Sequence, residues 1–235
     1  MKKVISMKIS SFLFVFLLAS ILSGQSSEEL ILQKITDALT PGSNIVAYDI
    51  NFEYFESLND SKPSSTMKVN AVIGQKHYWS RFADYEFFGD GKLHCVLDHQ
   101  AKTIVVTESV QKAGIPGANL SEIVSLVKGQ GLELNTFDAS KGLKGLLFEA
   151  PQYSRTRIEI LYEPDTYYLR ETIIRIDVDE PRASLEFNKC KIAGKYDNYR
   201  VITGGFPYSL KKYIIKSGDK FEPAAAFSDY QLRSF

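Results

Sequence analysis

Between Ile45 and Phe55 the chain alternates with a period of two: Val46, Tyr48, Ile50, Phe52 and Tyr54 fall on one side, Ala47, Asp49, Asn51 and Glu53 on the other. This is the pattern of a half-buried strand, because successive side chains of an extended backbone point to opposite faces. The polar turn Asn59-Asp60-Ser61-Lys62-Pro63 follows, and Met67, Val69, Ala71 and Ile73 then alternate with Lys68 and Asn70, so the two strands form a hairpin. Residues 76–82 and 85–88 extend the meander. Gly89-Asp90-Gly91-Lys92 closes the next hairpin, since Asp-Gly readily takes the positive φ of a tight turn. Strands over 93–97 and 103–107 continue it, with connections short enough for antiparallel neighbours.

Helical spacing brackets this run. Ser26 and Glu29 stand at capping-box separation, and Ile31, Ile35, Ala38 and Leu39 recur at helical intervals until Thr40-Pro41-Gly42, which predicts a helix over 28–39. After the Gly-Ile-Pro-Gly break within 113–119, Leu120, Ile123, Val124 and Val127 fall at i, i+3, i+4 and i+7, so a second short helix is expected before Gly129. Strand pattern resumes over 132–137, 145–149, 154–162, 167–178 and 183–192, with Glu163-Pro164-Asp165-Thr166 as the clearest turn. The stretch 198–235 is rich in Gly, Pro and Tyr and ends in an edge strand around 230–233. Many short strands with two or three helices predict a mainly β chain, an antiparallel barrel or curved sheet; a parallel sheet would need more helices.

The first residues follow another pattern. Lys2, Lys3 and Lys8 form a basic head, residues 12–22 are small or apolar without interruption, and Ser23, Gly24 and Gln25 form a polar exit. That run is about half of the roughly 20 residues a membrane span needs, so residues 1–25 are expected to be a cleaved export signal, leaving 26–235 as one domain working outside the cytoplasm. A lipid anchor would need a cysteine directly after the small residues, and the nearest is Cys95. In an oxidising compartment Cys95 and Cys190 are either one disulfide or two buried thiols.

With 28 basic and 28 acidic residues the chain carries no net field to draw nucleic acid or an anionic membrane surface. Aromatic residues make up 12% and include a single tryptophan, Trp79, a composition that suits a sheet with two apolar faces. Candidate chemistry is sparse. His94, Cys95, Asp98 and His99 form the one cluster suggesting a metal, yet on a strand Cys95 and His99 stand about 13 Å apart and His94 points the other way, unless a turn at Asp98 brings His99 back. No nucleophile elbow, phosphate loop or zinc-protease helix motif is present, and the acidic run Asp177, Asp179 and Glu180 reads as a solvated turn. Neither a catalytic residue, a metal nor a cofactor is expected.

The order of these parts resembles the periplasmic lipoprotein carriers, the LolA-like proteins. The resemblance rests on the leader without a lipidation cysteine, the first amphipathic helix entering a long strand, the aromatic strand before Asp90-Gly91-Lys92, the Tyr162-Glu163-Pro164-Asp165-Thr166 turn, and the terminal Asp229-Tyr230-Gln231-Leu232-Arg233. It covers nearly all of the mature chain. It implies an incomplete, or half, β-barrel whose concave side is covered by helices and receives the acyl chains of a lipoprotein, passed from an inner-membrane transporter complex to an outer-membrane acceptor. Several such carriers place an arginine in the third strand, where this chain has Gly74-Gln75-Lys76; here the nearest is Arg81.

A carrier of this kind needs apolar area rather than chemistry. Each methylene withdrawn from water yields about 0.8 kcal/mol, so hiding most of a long acyl chain gains on the order of 10 kcal/mol, and a cover competing for the same surface makes release feasible. The expected lining is Val46, Tyr48, Ile50, Phe52, Tyr54, Met67, Val69 and Ala71, with Trp79. The expected cover is Ile31, Ile35 and Leu39 of the first helix with Leu120, Ile123, Val124 and Val127 of the second. The same stripe would also serve as the closed core of a sandwich or barrel. The expected function is therefore a monomeric, non-enzymatic periplasmic carrier of an acylated lipoprotein or lipid. A sensing module on the same fold, or an exported hydrolase using scattered carboxylates, are the alternatives.

Overall fold

The alternating stretch at Ile45–Phe55 becomes the middle of a single large sheet. A computed structural model describes residues 26–39, 44–108, 133–149, 157–177, 189–218 and 220–234. In chain order these form α1 (Ser27–Leu39), β1 (Ile45–Phe55), β2 (Ser65–Ile73), β3 (Tyr78–Phe82), β4 (Tyr85–Gly89), β5 (Leu93–Asp98), β6 (Thr103–Glu108), β7 (Glu133–Asp138), β8 (Lys144–Glu149), β9 (Arg157–Tyr162), β10 (Leu169–Asp177), β11 (Lys189–Ile202), β12 (Ile214–Ser217), β13 (Lys220–Pro223) and β14 (Gln231–Ser234). Twelve strands run in the order β14-β6-β5-β4-β3-β2-β1-β11-β10-β9-β8-β7, and β12 with β13 forms a separate hairpin. Two antiparallel meanders, β1–β6 and β7–β11, are thus joined by the pairing of β1 with β11. Among the described residues the outermost strands β7 and β14 do not pair with each other, so the curved sheet these strands form is not closed into a barrel.

α1 starts on a reciprocal cap: Glu29 N–H donates to Ser26 Oγ and Ser26 N–H donates to the Glu29 carboxylate, both at 3.3 Å. Its buried stripe, Leu32, Ile35 and Leu39, packs on Val46 and Tyr48 of β1, Ile73 of β2, Leu146 of β8, Ile160 and Tyr162 of β9 and Leu169 of β10. This is the inner core. A second core lies on the outer face, where Ala47, Val72, Trp79, Phe88, Cys95, Leu97, Ile104 and Val106 are covered by Tyr213 and Ile214, with Phe206, Tyr208, Phe227 and Tyr230 packed around them. At the end of β1 and β2 that carries Ala47 and Val72 both faces are therefore apolar.

The outer core holds the one buried charged residue among the described residues, Glu86, at 4% exposure. Trp79 Nε1–H donates to its Oε1 at 2.5 Å, the Tyr213 hydroxyl donates to the same oxygen, and His99 Nε2 lies 3.2 Å from Oε2. His99 Nδ1 in turn meets the Tyr230 hydroxyl at 2.7 Å. Burial pushes the Glu86 carboxyl up, but the bonds from Tyr213, Trp79 and His99 and the charge of Lys212 outweigh it and hold the group below the ordinary carboxylate range.

Some expectations are corrected, and others fall outside the described residues. Trp79 pairs with Val72, which pairs with Ala47, so register turns its ring to the outer face, away from the Val46–Tyr54 stripe. Among the described residues α1 is the one α-helix; the expected helix carrying Leu120, Ile123, Val124 and Val127 lies outside them, as do residues 1–25, Asp179 and Glu180. β11 runs ten residues past the predicted end at 192, to Ile202. The terminal strand is at an edge as expected, but it is parallel to β6. Cys95 and Cys190 are buried free thiols on different faces, Cys95 in the outer core and Cys190 paired with Ile176 on the strand face that carries Ile192. Among the described residues no three His, Cys, Asp or Glu side chains converge to hold a metal.

Candidate functional site

The inner face carries the predicted stripe as a continuous surface across the strand pairs. Ile50 sits between Val69 and Tyr196, Phe52 between Met67 and Gly194, and Tyr54 between Ser65 and Ile192. The stripe continues outward through Thr172 and Ile174 of β10 to Ile160 and Ile158 of β9 and Leu146 and Phe148 of β8. Val46, Tyr48, Val69 and Ala71 are buried, whereas Ile50, Phe52, Tyr54 and Met67 are half-buried. α1 therefore rests over one end of the stripe, at Val46 and Tyr48, and the stripe runs on beyond it.

Gly194 lets the Phe52 ring lie flat across β11: a Cβ there would stand 2.9 Å from Thr172 Oγ1 and 3.0 Å from the Phe52 ring. A tyrosine wall closes the α1 end. Tyr168 stacks on Tyr199 with centroids 4.4 Å apart, Tyr199 on Tyr48 at 5.4 Å, and Tyr48 meets Tyr196 at 6.1 Å. The Tyr199 hydroxyl donates to the Leu169 carbonyl at 2.7 Å. Burial pushes the hydroxyls of Tyr48, Tyr196 and Tyr199 up, and that of Tyr54, through burial and then the neighbouring Cys190 and Glu56, to about 12.

The reverse side of the same strands is ionic. Lys195 Nζ lies 2.8 Å from both Glu53 carboxylate oxygens, Arg157 Nε 2.9 Å from Glu159 Oε1, and Arg175 reaches the same Glu159. Asn70 and Asn198 each donate to Asp49 at 2.8 Å. The inner side of this half of the sheet is mostly hydrocarbon, whereas the reverse side interleaves these ion pairs with Leu147, Leu161 and Ile173, so the inner face is where an apolar ligand would gain most.

At the flank of α1 the Lys34 ammonium donates to the Tyr167 hydroxyl at 3.1 Å and stands 4.8 Å from the centre of that ring. Tyr167, at φ 58°, stacks on Tyr162 with centroids 5.8 Å apart. A cleft of ≈ 410 Å³ opens here among Ile31, Phe137, Lys144, Tyr162, Pro164 and Tyr167. The lysine-to-tyrosine contact ties the helix to the turn after β9, a tie that no residue pattern along the chain announced.

No family model and no curated protein matches the chain. Among solved structures it is similar to the MucA/MucB complex of Pseudomonas aeruginosa, at TM-score 0.46 and 12% identity over 85% of this chain. It is also similar to an uncharacterised conserved protein from Thermus thermophilus, at TM-score 0.48 and 10% identity over 89% of this chain and 100% of that one. A LolA superfamily protein from Nitrosomonas europaea matches at TM-score 0.33 and 8% identity over 75% of this chain and 94% of that one. The chain spans 64% of the length of the chain it matches in the MucA/MucB complex. The fold itself is defined by the strand order and register above.

Proposed function

We propose that this chain is a non-enzymatic periplasmic carrier that shelters the acyl chains of a lipoprotein, or of another lipid, on the inner face of its open sheet. The observation that carries this reading is the stripe from Val46 to Tyr54. It is buried under α1 at one end, half-buried at the other, continuous across neighbouring strands, and backed by a charged reverse face. A closed core would be covered along its whole length by packed side chains of the sheet or of α1. α1 has 13 residues and is too short to be stable alone, so its packing depends on the surface it covers. A helix of that kind can yield to a ligand that fills the same surface. In this reading residues 1–25 direct export and are removed, and no lipid is attached. The monomeric protein receives cargo from an inner-membrane transporter complex and gives it to an outer-membrane acceptor.

The protein, expressed with its leader and purified from the periplasm without detergent, is expected to yield near-stoichiometric acylated species in organic extracts analysed by mass spectrometry. A fluorescent fatty acid should displace them. A protein that is empty and also refuses the probe would refute the carrier reading and favour a module that senses another protein.

A further inference from the structure

The chain beyond β11 builds a second cleft, on the outer face. The segment through Tyr208–Lys211 and the β12–β13 hairpin enclose ≈ 490 Å³ against the β4–β5 turn. That volume falls within the about 300–1,000 Å³ of small-molecule sites. Its floor belongs to the outer core: Phe88 and Ile214 are buried, and Leu93, Tyr208 and Phe221 are half-buried. Ring stacking fixes this floor in place, with Tyr208 lying on Trp79 at 4.1 Å and 11° and His77 on Phe206 at 5.2 Å and 28°. Ile215, at the mouth, is 52% exposed.

The rim has the opposite character. Lys211 and Lys216 face the cleft, and neither is in an ion pair among the described residues; the Lys216 ammonium stands 5.7 Å from the centre of the Phe221 ring. The one carboxylate in the lining among the described residues, Asp90, has an oxygen accepting from the Lys92 and Leu93 backbone N–H groups at 2.9 Å each, so it is engaged in its own turn. Among the described residues, two lysines against one carboxylate give the lining a formal charge of +1, counting His77 as neutral. A small polar anion would leave the apolar floor unmet, and a neutral lipid would leave the ammonium groups unmet. A ligand joining a single apolar tail to an acidic head meets both.

We propose that this cleft binds a single-chain amphiphilic anion, its tail against Phe88, Leu93 and Phe221 and its head between Lys211 and Lys216. The site is on the reverse side of the sheet from the α1-covered stripe and does not depend on the carrier reading. Trp79 is the only tryptophan and its ring stacks on a wall of the cleft, so its emission reports occupancy directly. The test titrates the full protein with tail-brominated decanoate and, separately, tail-brominated decyl phosphate, following quenching of Trp79. Saturable quenching is expected, with whichever head binds tighter naming the ligand as carboxylate or phosphate. Lys211→Glu combined with Lys216→Glu should weaken binding by about tenfold or more, and tail-brominated decanol should bind the unaltered protein comparably poorly. Phe52→Asp, on the inner face, should leave this quenching in place, so that failure of inner-face binding and failure of the cleft are read separately. Absence of saturable quenching, equal binding of decanol, or unchanged affinity after charge reversal would overturn the proposal.

Discussion

Glu86 shows how much a single buried carboxylate can organise. Its partners come from β3, from the turn after β5 and from the segment before β12, so it joins the covering chain to the sheet through hydrogen bonds. Because its folded pKa is held below the ordinary value of 4.5, its contribution is fully present above that value and is lost as pH falls through the folded pKa. Glu86→Gln should cost about 1–3 kcal/mol at neutral pH, and the variant's stability should then vary less with pH below 4.5 than that of the unaltered protein. Urea melts followed by Trp79 fluorescence at several pH values check both; equal acid sensitivity in the two proteins would assign it to other carboxylates. On the inner face Gly194→Ala should cost about 1–3 kcal/mol by crowding Thr172 and Phe52, as thermal melts would register. Residues like Glu86 were silent in the sequence, because nothing local to it tells that Tyr213, 127 positions later, will supply a donor.

At the scale of elements, the alternating strands were legible because period-two patterning survives wherever one face is buried and the other wet. β1 and β2 have that form, and so does α1 at its own period, with a cap that reads directly from Ser26 and Glu29. β11 was read short because Gly194 and the run Lys195-Tyr196-Asp197-Asn198 weaken the apolar signal, and the register shift opposite Ala47 and Asp49 breaks the period where the strand continues. The parallel pairing of β14 with β6 depends on a return over more than a hundred residues, and local pattern carries no trace of it. Trp79 lies in a strand as read, but which way it faces is decided by pairing with Val72, a matter of register. The candidate lining was legible as a stripe; its division into a buried and a half-buried part was not, since the buried part is set by where α1 lands. If α1 competes with acyl chains for this surface, Ile35→Ala should lower stability by about 2–4 kcal/mol and at the same time raise affinity for a fluorescent fatty acid. Denaturant melts and probe titration on the same preparation test this. A loss of stability with unchanged or weaker probe binding would make α1 plain core.

Over the whole molecule, two apolar cores on opposite faces of one sheet are each closed by a different end of the domain. α1 closes the inner one, and the chain after β11 closes the outer one. The described strands thus have an inner surface suited to hydrocarbon and a reverse surface that is ionic under β8–β11 and aromatic under β3–β6. No helix among the described residues is long and apolar enough to cross a membrane. The central claim is that acyl chains lie along the half-buried part of the inner stripe. Photolabelling answers it most directly: a palmitate carrying a tail diazirine is bound to the purified protein, irradiated, and the labelled peptides are located by mass spectrometry. The carrier account predicts label on β1 and β2, around Phe52, Tyr54 and Met67, lost when Phe52 is replaced by aspartate. Label confined to other segments, or label on β1 and β2 that persists undiminished in Phe52→Asp, would contradict it.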